Sequence, residues 1–560
     1  MKQRLTMVLV SLFCFVRMAM AQVEASGQVV SSEDGTPVVG ATVKEVGSSK
    51  GVITDIDGRF TIVVPSNGTT LEFSYIGMTT VQSKSAKNMR IALTPDDSML
   101  EDVVVVAYGT QSKQSLTGSV SVVNSKKLEK RIGSNAVGAL EGETPGVQVN
   151  NTYGEPGAAP SIRVRGFTSR KNNDPLYVVD GAPFDGKIGQ ELNPNDIESI
   201  SILKDAASAA LYGNRAANGV VIITTKKAKG NVKPSVELSV NHGWYSRGIK
   251  EYERLGADQW MEMEWQAKKN SLMTGSQNMN ATDAAAYATA NLIDESIGRN
   301  IYDKAKNELF DANGKLVANK LAGYNDLDWE DALERTGQRQ EYNLSATTSG
   351  DKYNVYGSVG YLKENGYILA TDLERYTARV NSTFTPTKWF NGGINVSGSH
   401  TINNYNSNAN GSYYANPFYV ARYMAPVYPI YEHDAAGNIV LDEKGAKKYD
   451  TKSPYLDNRN VVFEKYTDIE QTTRNTFAMQ VFGTITLPYG FSFTMKADMN
   501  NINNDYSKYD NPEIGDGASN NGRFSSTKYR YFSSNVQELI NWDKSFGLHN
   551  SSALLGHENY

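Results

Sequence analysis

Side chains able to do chemistry are few in this chain, and their spacing does not suit catalysis. The five histidines, His242, His400, His433, His549 and His557, are scattered and form no His-Glu-x-x-His or other close ligand pair for zinc. The single cysteine, Cys14, lies in an N-terminal apolar segment, so a chain lacking that segment has no thiol for a disulfide, a zinc site or a nucleophile. Neither a nucleophile elbow nor a phosphate-binding loop is visible. No cofactor or metal is therefore expected. The turns Asp55-Ile56-Asp57-Gly58, Asp311-Ala312-Asn313-Gly314 and Asp434-Ala435-Ala436-Gly437 offer oxygens that calcium takes. They lack the regular ligand spacing and terminal Glu of a calcium loop, and hairpin-turn chemistry accounts for them.

Binding chemistry is better represented. The stretch from Tyr405 to Tyr431 sets Tyr413, Tyr414, Phe418, Tyr419, Tyr423 and Tyr428 among Asn and Ser, a composition able to stack on sugar rings or grip a peptide. Ordinary loop packing and anchoring at a membrane interface are the alternatives. Arg163 and Arg165 are expected on one face of a strand, opposite Ile162 and Val164; they either face solvent or pair with acids across a polar lumen. The β-branched run Val103-Val104-Val105-Val106, preceded by Asp102 and followed by Ala107-Tyr108-Gly109, favours extension. It can serve as an interior strand or add to the sheet edge of a partner.

The elements that must position these groups fall into three textures. Gln28 to Leu93 reads as short strands divided by turns, a small sandwich. Ile162 to Lys227 reads as compact α/β: strands at Ile162–Gly166, Leu176–Val179, Ile200–Leu203 and Val220–Thr225, turns at Asp180-Gly181 and Asn218-Gly219, and a helix from Ala206 to Tyr212, capped by Asp205 and ended by Gly213. From Pro234 onward nine segments alternate. Phe491, Phe493, Met495, Ala497 and Met499 share one face, with Ser492, Thr494, Lys496 and Asp498 on the other. Tyr353, Val355, Gly357, Val359 and Tyr361 repeat the pattern. An apolar face opposite a polar one, at about 10 residues per strand, is what a wall between lipid and water requires. Tight turns at 350–352, 386–388, 488–490 and 543–548 alternate with long links at 247–339, 402–471 and 502–527, the asymmetry of periplasmic turns and extracellular loops. Leu255–Lys269 and Thr282–Ile297 within the first link read as helices folded over the mouth.

At 560 residues with 40% hydrophobic content and a mean hydropathy of −0.45, the chain can build two or three cores without being a helical membrane protein. A net charge of −5 gives no basic field and argues against nucleic acid as a partner. Residues 1–21 carry Lys2 and Arg4, an apolar segment and Ala19-Met20-Ala21, the pattern of a cleaved secretory signal.

The run from Leu176-Tyr177-Val178-Val179-Asp180-Gly181 through Ala206–Gly213 to Arg215-Ala216-Ala217-Asn218-Gly219 resembles the plug signature of the SusC/RagA family of TonB-linked outer-membrane transporters. Arg163, Arg165, Gly166, Asp180, Gly181, Tyr212, Gly213, Arg215, Asn218 and Gly219 stand at its motif positions. The resemblance implies a mainly β fold with a small α/β plug: a signal peptide (1–21), a β-sandwich similar to carboxypeptidase-regulatory-like domains (22–98), a TonB-contact segment (99–111) containing Asp102 to Gly109, a plug (112–232), and a partial antiparallel transmembrane β-barrel (233–560). It also implies TonB, a SusD-like surface lipoprotein, outer-membrane lipid and a glycan or peptide ligand as partners, with no enzymatic activity. An exported binding or adhesion receptor without energised transport is the alternative. Nine strands are too few to enclose a plug of this size, for which about 22 are usual, so the sequence is expected to be incomplete.

Overall fold

The computed structural model describes residues 23–32, 35–48, 50–75, 78–94, 103–106, 109–112, 119–128, 133, 135–150, 155–158, 160–184, 192–205, 209–228, 232–405, 416–453, 458–547 and 549–560. The expected signal segment, Asp102, Ala107, Tyr108, Tyr413 and Tyr414 lie outside them. The chain divides into two compact units, one built on its first 104 residues with 109–116, the other comprising 105–108 and 117–560.

The first unit is a two-sheet sandwich. Strands β1 (Val23–Ser31), β4 (Arg59–Val64) and β7 (Met89–Leu93) form one sheet, and β2 (Thr42–Glu45), β3 (Gly51–Ile53), β5 (Thr70–Tyr75) and β6 (Met78–Lys84) the other. Alternation buries Phe60, Ile62 and Val64 from one sheet against Leu71 and Phe73 from the other, and the Phe60 and Phe73 rings meet edge to face at 5.2 Å. Asp55 Oδ1 accepts from the amides of Asp57 at 3.0 Å and Arg59 at 2.8 Å, so its carboxylate serves the β3–β4 turn. Strands β8 (Val103–Val106) and β9 (Gly109–Ser112) pair only with each other among the described residues.

In the second unit the plug is a five-stranded sheet of β10 (Val120–Asn124), β13 (Leu176–Val179), β14 (Ala182–Phe184), β15 (Ile197–Leu203) and β16 (Val220–Thr225), in the order β10-β15-β16-β13-β14. A hairpin of β11 (Val147–Asn150) and β12 (Ser161–Val164) accompanies it. Asp180 and Gly181 both take positive φ, 51° and 91°, giving the two-residue turn whose backbone twist suits a hairpin. The helix expected over Ala206–Tyr212 is not seen as such. A 3-10 segment spans Ala210–Ala216, interrupted at Gly213, whose φ of 60° no helix tolerates. Residues 206–208 are outside the description. Asp205 instead turns its carboxylate to the Ser119 amide.

The wall is one antiparallel sheet in strict chain order: β17 (Ser235–Tyr245), β18 (Gly337–Gly350), β19 (Tyr353–Asn365), β20 (Asp372–Thr387), β21 (Phe390–Asn404), β22 (Ile469–Thr486), β23 (Phe491–Asp510), β24 (Arg523–Phe546) and β25 (His549–Asn559). All nine expected segments are strands. Most run further than expected on the side of the long links, and the turn expected over 543–548 shrinks because β24 continues to Phe546. One face exposes Val359, Val380, Val481 and Met495, while Asn381, Asn395, Gln480, Thr494, Asp498, Asn535 and Gln537 of the other are buried.

The long links fold together. Helices α1 (Ala257–Thr274), α2 (Ala281–Leu292) and α3 (Trp329–Leu333) from the first link, with α4 (Pro417–Tyr423) and α5 (Val461–Thr467) from another, share a core that includes Trp265, Leu292, Trp329, Val420, Tyr428 and Val461. Asn280, Asp328, Asn416 and Asn460 cap α2 to α5 through their side-chain oxygens. Asp311 and Asp434 each accept two turn amides, at 2.9 and 2.8 Å in both cases, as their hairpin chemistry predicts. Among the described residues no helix is long and apolar enough to cross a membrane.

Candidate gate and ligand cleft

The polar face of the wall meets the plug through side chains that alternation aims inward. Asp196 closes a short 3-10 turn, Pro194–Asp196, that Asn193 caps. Its Oδ1 accepts from Tyr356 Oη at 2.9 Å and Ser358 Oγ at 2.6 Å on β19. Asn193 Nδ2 donates to Asn343 Oδ1 at 2.6 Å. Next to Asp196 in the plug sheet, whose carbonyl accepts from the Lys226 amide at 2.8 Å, Asn381 Nδ2 donates to Thr225 Oγ1 at 2.9 Å and to the Lys226 carbonyl at 2.8 Å. The buried guanidinium of Arg379 lies 3.8 Å from both Asp180 and Asp196.

The motif residues divide between these contacts and the plug's own architecture. Asp180 Oδ1 and Oδ2 accept from the amide and hydroxyl of Thr225 at 3.0 and 2.6 Å, and Gln480 and Gln537 reach the Asp180 and Gly181 carbonyls at 3.3 and 3.4 Å. Arg215 pairs with Glu558 of β25 at 3.2 Å and lies over the Tyr560 ring. Asn218 holds Thr168 and the carbonyls of Asn172 and Asp174. A side chain at Gly219 would approach the Leu203 carbonyl to 3.1 Å, Gly166 takes a φ of 99°, and Tyr212 is buried in the plug core.

Arg163 and Arg165 do not share a strand face. β12 stops at Val164, and Arg165 follows it with a left-handed φ of 56°. Arg163 bonds Asp174 at 2.7 Å within the plug, not an acid of the wall. The wall residues that do engage the plug were legible only as inward positions: Arg375, Arg379 and Asn381 alternate with Tyr376, Ala378 and Val380 along β20.

Beyond the wall, the folded links enclose a cleft of about 920 Å³. It lies between the Ser246–Gly256 segment, the start of α1, α3 and the end of α4. Arg247, just past β17, gathers three carboxylates: Glu251 at 3.2 Å, Glu334 at 2.7 Å, and Glu330. Arg422 takes Glu251 at 2.7 Å and holds that carboxyl below its ordinary range, whereas burial pushes Glu334 above it. Asp328 is occupied by the α3 amides. Of the aromatic residues expected to bind ligand, and among those described, only Tyr423 lines this cleft, 57% exposed and stacked on Tyr419 at 4.4 Å. Tyr428 is 2% exposed and donates to the Ile297 carbonyl at 3.0 Å, so it belongs to the core. Phe418 is half-buried in the first turn of α4. Nothing local singles out Arg247 and Tyr252, because the stretch around them, Arg-Gly-Ile-Lys-Glu-Tyr-Glu-Arg, has no period of helix or strand.

An α/β plug seated on the wet face of a sheet whose other face is greasy defines a plugged outer-membrane β-barrel protein. The family model described as TonB-dependent Receptor Plug Domain matches residues 112–220, and that described as CarboxypepD_reg-like domain matches 25–105. The chain is 30% identical to TonB-dependent receptor P3 of Formosa agariphila, over 98% of its own length and 49% of that protein's. To TonB-dependent receptor SusC of Bacteroides thetaiotaomicron it is 32% identical, over 67% of the chain and 34% of the relative. The RagAB peptide importer in its closed-closed state shares the fold, with a TM-score of 0.60 at 24% identity, over 79% of this chain and 47% of that one. The chain thus spans about half the length, or less, of the curated relatives it matches. It belongs to the TonB-dependent receptors of the outer membrane, and among them to the SusC/RagA type.

Proposed function

We propose that the full protein carries out TonB-dependent import of a nutrient of the glycan or peptide class. In this reading residues 1–21 direct export, 22–98 form the periplasmic sandwich, 99–111 reach TonB, 112–232 gate, and 233–560 supply wall and loops. One observation carries the proposal. The buried apolar clusters of the plug, around Ile200, Ile202, Val221 and Ile223 and around Val178, Leu203 and Ile222, contain no wall residue, and the ties to the wall are polar. A plug with a self-contained core that is fastened by hydrogen bonds and ion pairs can shift without exposing that core, at a modest net cost per contact.

Ligand captured at the loops signals through the plug, the N-terminal segment becomes available, and TonB pulls on it with energy from the inner membrane. A SusD-like surface lipoprotein lids the mouth, in keeping with the kinship to SusC and the fold shared with the RagAB importer. No catalytic step is assigned. The test is deletion of Asp102–Gly109 in the full-length protein. Uptake should vanish while ligand binding at the surface persists; unchanged uptake would count against energised transport through this segment.

A further inference from the structure

The charges of the loop cleft are not evenly engaged. Its acids are all occupied: Glu251, Glu330 and Glu334 by Arg247 and Arg422, and Asp328 by helix amides. Three of its cations are not. Among the described residues Lys250 and Arg254 close no ion pair, Arg254 acting on Glu251 only at longer range, and Lys320 donates to the Tyr324 carbonyl at 2.9 Å. Beside them Tyr252 is 92% exposed, and Tyr423 is held flat against Tyr419. Exposed rings of this size are usually half-buried by their own neighbours; here they stand at the opening of a cleft large enough for several sugar residues.

We propose that this cleft binds an anionic oligosaccharide, one whose rings carry carboxylate or sulfate groups. The rings lie on Tyr252 and Tyr423, and the anionic groups pair with Lys250, Arg254 and Lys320. Rings favour a glycan over an acidic peptide, because two flat aromatic faces beside cations free of ion pairs match a repeating array of planar-faced, singly charged units. The inference rests on the import reading for its biological sense but not for its physics.

The test is equilibrium binding to the full-length protein in detergent, with oligogalacturonate and a sulfated galactan oligosaccharide as probes, and maltohexaose and hexaglutamate as comparators. Both anionic sugars should bind, with affinity falling as salt rises. Lys250→Gln and Arg254→Gln should each weaken them about tenfold, and Tyr252→Ala comparably. These side chains sit on the surface, and unchanged urea midpoints would confirm that the variants fold. Maltohexaose bound as tightly, hexaglutamate bound in preference, or affinity insensitive to the Gln variants would each overturn the proposal. Anionic-sugar binding that survives in a protein whose uptake ignores deletion of Asp102–Gly109 would sustain this site while removing the import reading.

Discussion

Asp196 of the plug and Tyr356 of the wall, 160 residues apart in sequence, meet through a hydrogen bond of 2.9 Å. Both groups are buried, and Arg379 stands beside the same carboxylate. The contact lies where β15 begins, so it ties the sheet of the plug directly to the sheet of the wall.

Removing that bond should loosen the plug. Tyr356→Phe is expected to reduce its seating by about 1.5 kcal/mol, the usual range for a hydrogen bond to a charged group, and Asp196→Ala by more because Arg379 then loses a neighbouring charge. Channel conductance across urea concentrations reads this as earlier opening. Identical opening curves for all three proteins would show that the contact does not seat the plug.

The outward face of the wall should reject charge. Val359, 54% exposed and flanked in register by Leu344 and Ala378, has no acid beside it, so Val359→Arg is expected to destabilise the folded barrel by about 2–4 kcal/mol in bilayers. Met495 would make a poorer probe: its neighbour on β24 is Glu538, which could pair with the new Arg. Folding free energies measured in lipid vesicles decide it, and a change below about 0.5 kcal/mol would mean that face does not meet lipid.

Two tyrosines five residues apart should behave oppositely. Tyr428→Phe removes the bond to Ile297 and is expected to cost the loop core about 1 kcal/mol without altering ligand binding. Tyr423→Ala should weaken binding and leave the core intact. Trp329→Ala, which empties a buried site and frees the Tyr428 carbonyl, should cost about 3–5 kcal/mol. Hydrogen exchange of α1, α2 and α3 separates these effects, and slowed or unchanged exchange in Trp329→Ala would contradict the shared core.

Binding of the anionic probe should strengthen on mild acidification. Burial raises the Glu334 pKa, so this carboxyl takes up its proton above the ordinary carboxylate range, while Glu251, held low by Arg422, stays ionised. As pH falls from neutral, Arg247 loses one counter-charge and the cleft becomes more positive; the uronate probe stays charged down to about pH 4.5. The same sign governs stability: Glu334 favours the fold when protonated, and that contribution is lost as pH rises through its folded pKa. Affinity of oligogalacturonate measured at constant ionic strength should rise in the wild type and stay flat in Glu334→Gln. A fall on acidification would refute the assignment.

What the sequence by itself determined is whatever depends on neighbours in the chain. Alternation along Phe491–Met499 sorts a greasy face from a wet one because a strand's side chains must point to opposite sides. Asp180-Gly181 turns through its own backbone conformation, and Asp434–Gly437 through the Asp434 oxygen that takes its turn amides. The nine wall strands and the alternation of short and long connections follow from such signals, as does the compact α/β character of the plug. Tertiary structure decided what depends on distant partners. Tyr423 and Tyr428 look alike in sequence, yet packing against Trp329 and Ile297 buries one and leaves the other at the cleft. Arg163 turned to Asp174 of its own domain, whereas Arg379, which no local pattern distinguished from an ordinary inward residue, came to stand between two plug acids. Strand alternation fixes which side a group faces, but only the register of a wall against its plug fixes what it meets there.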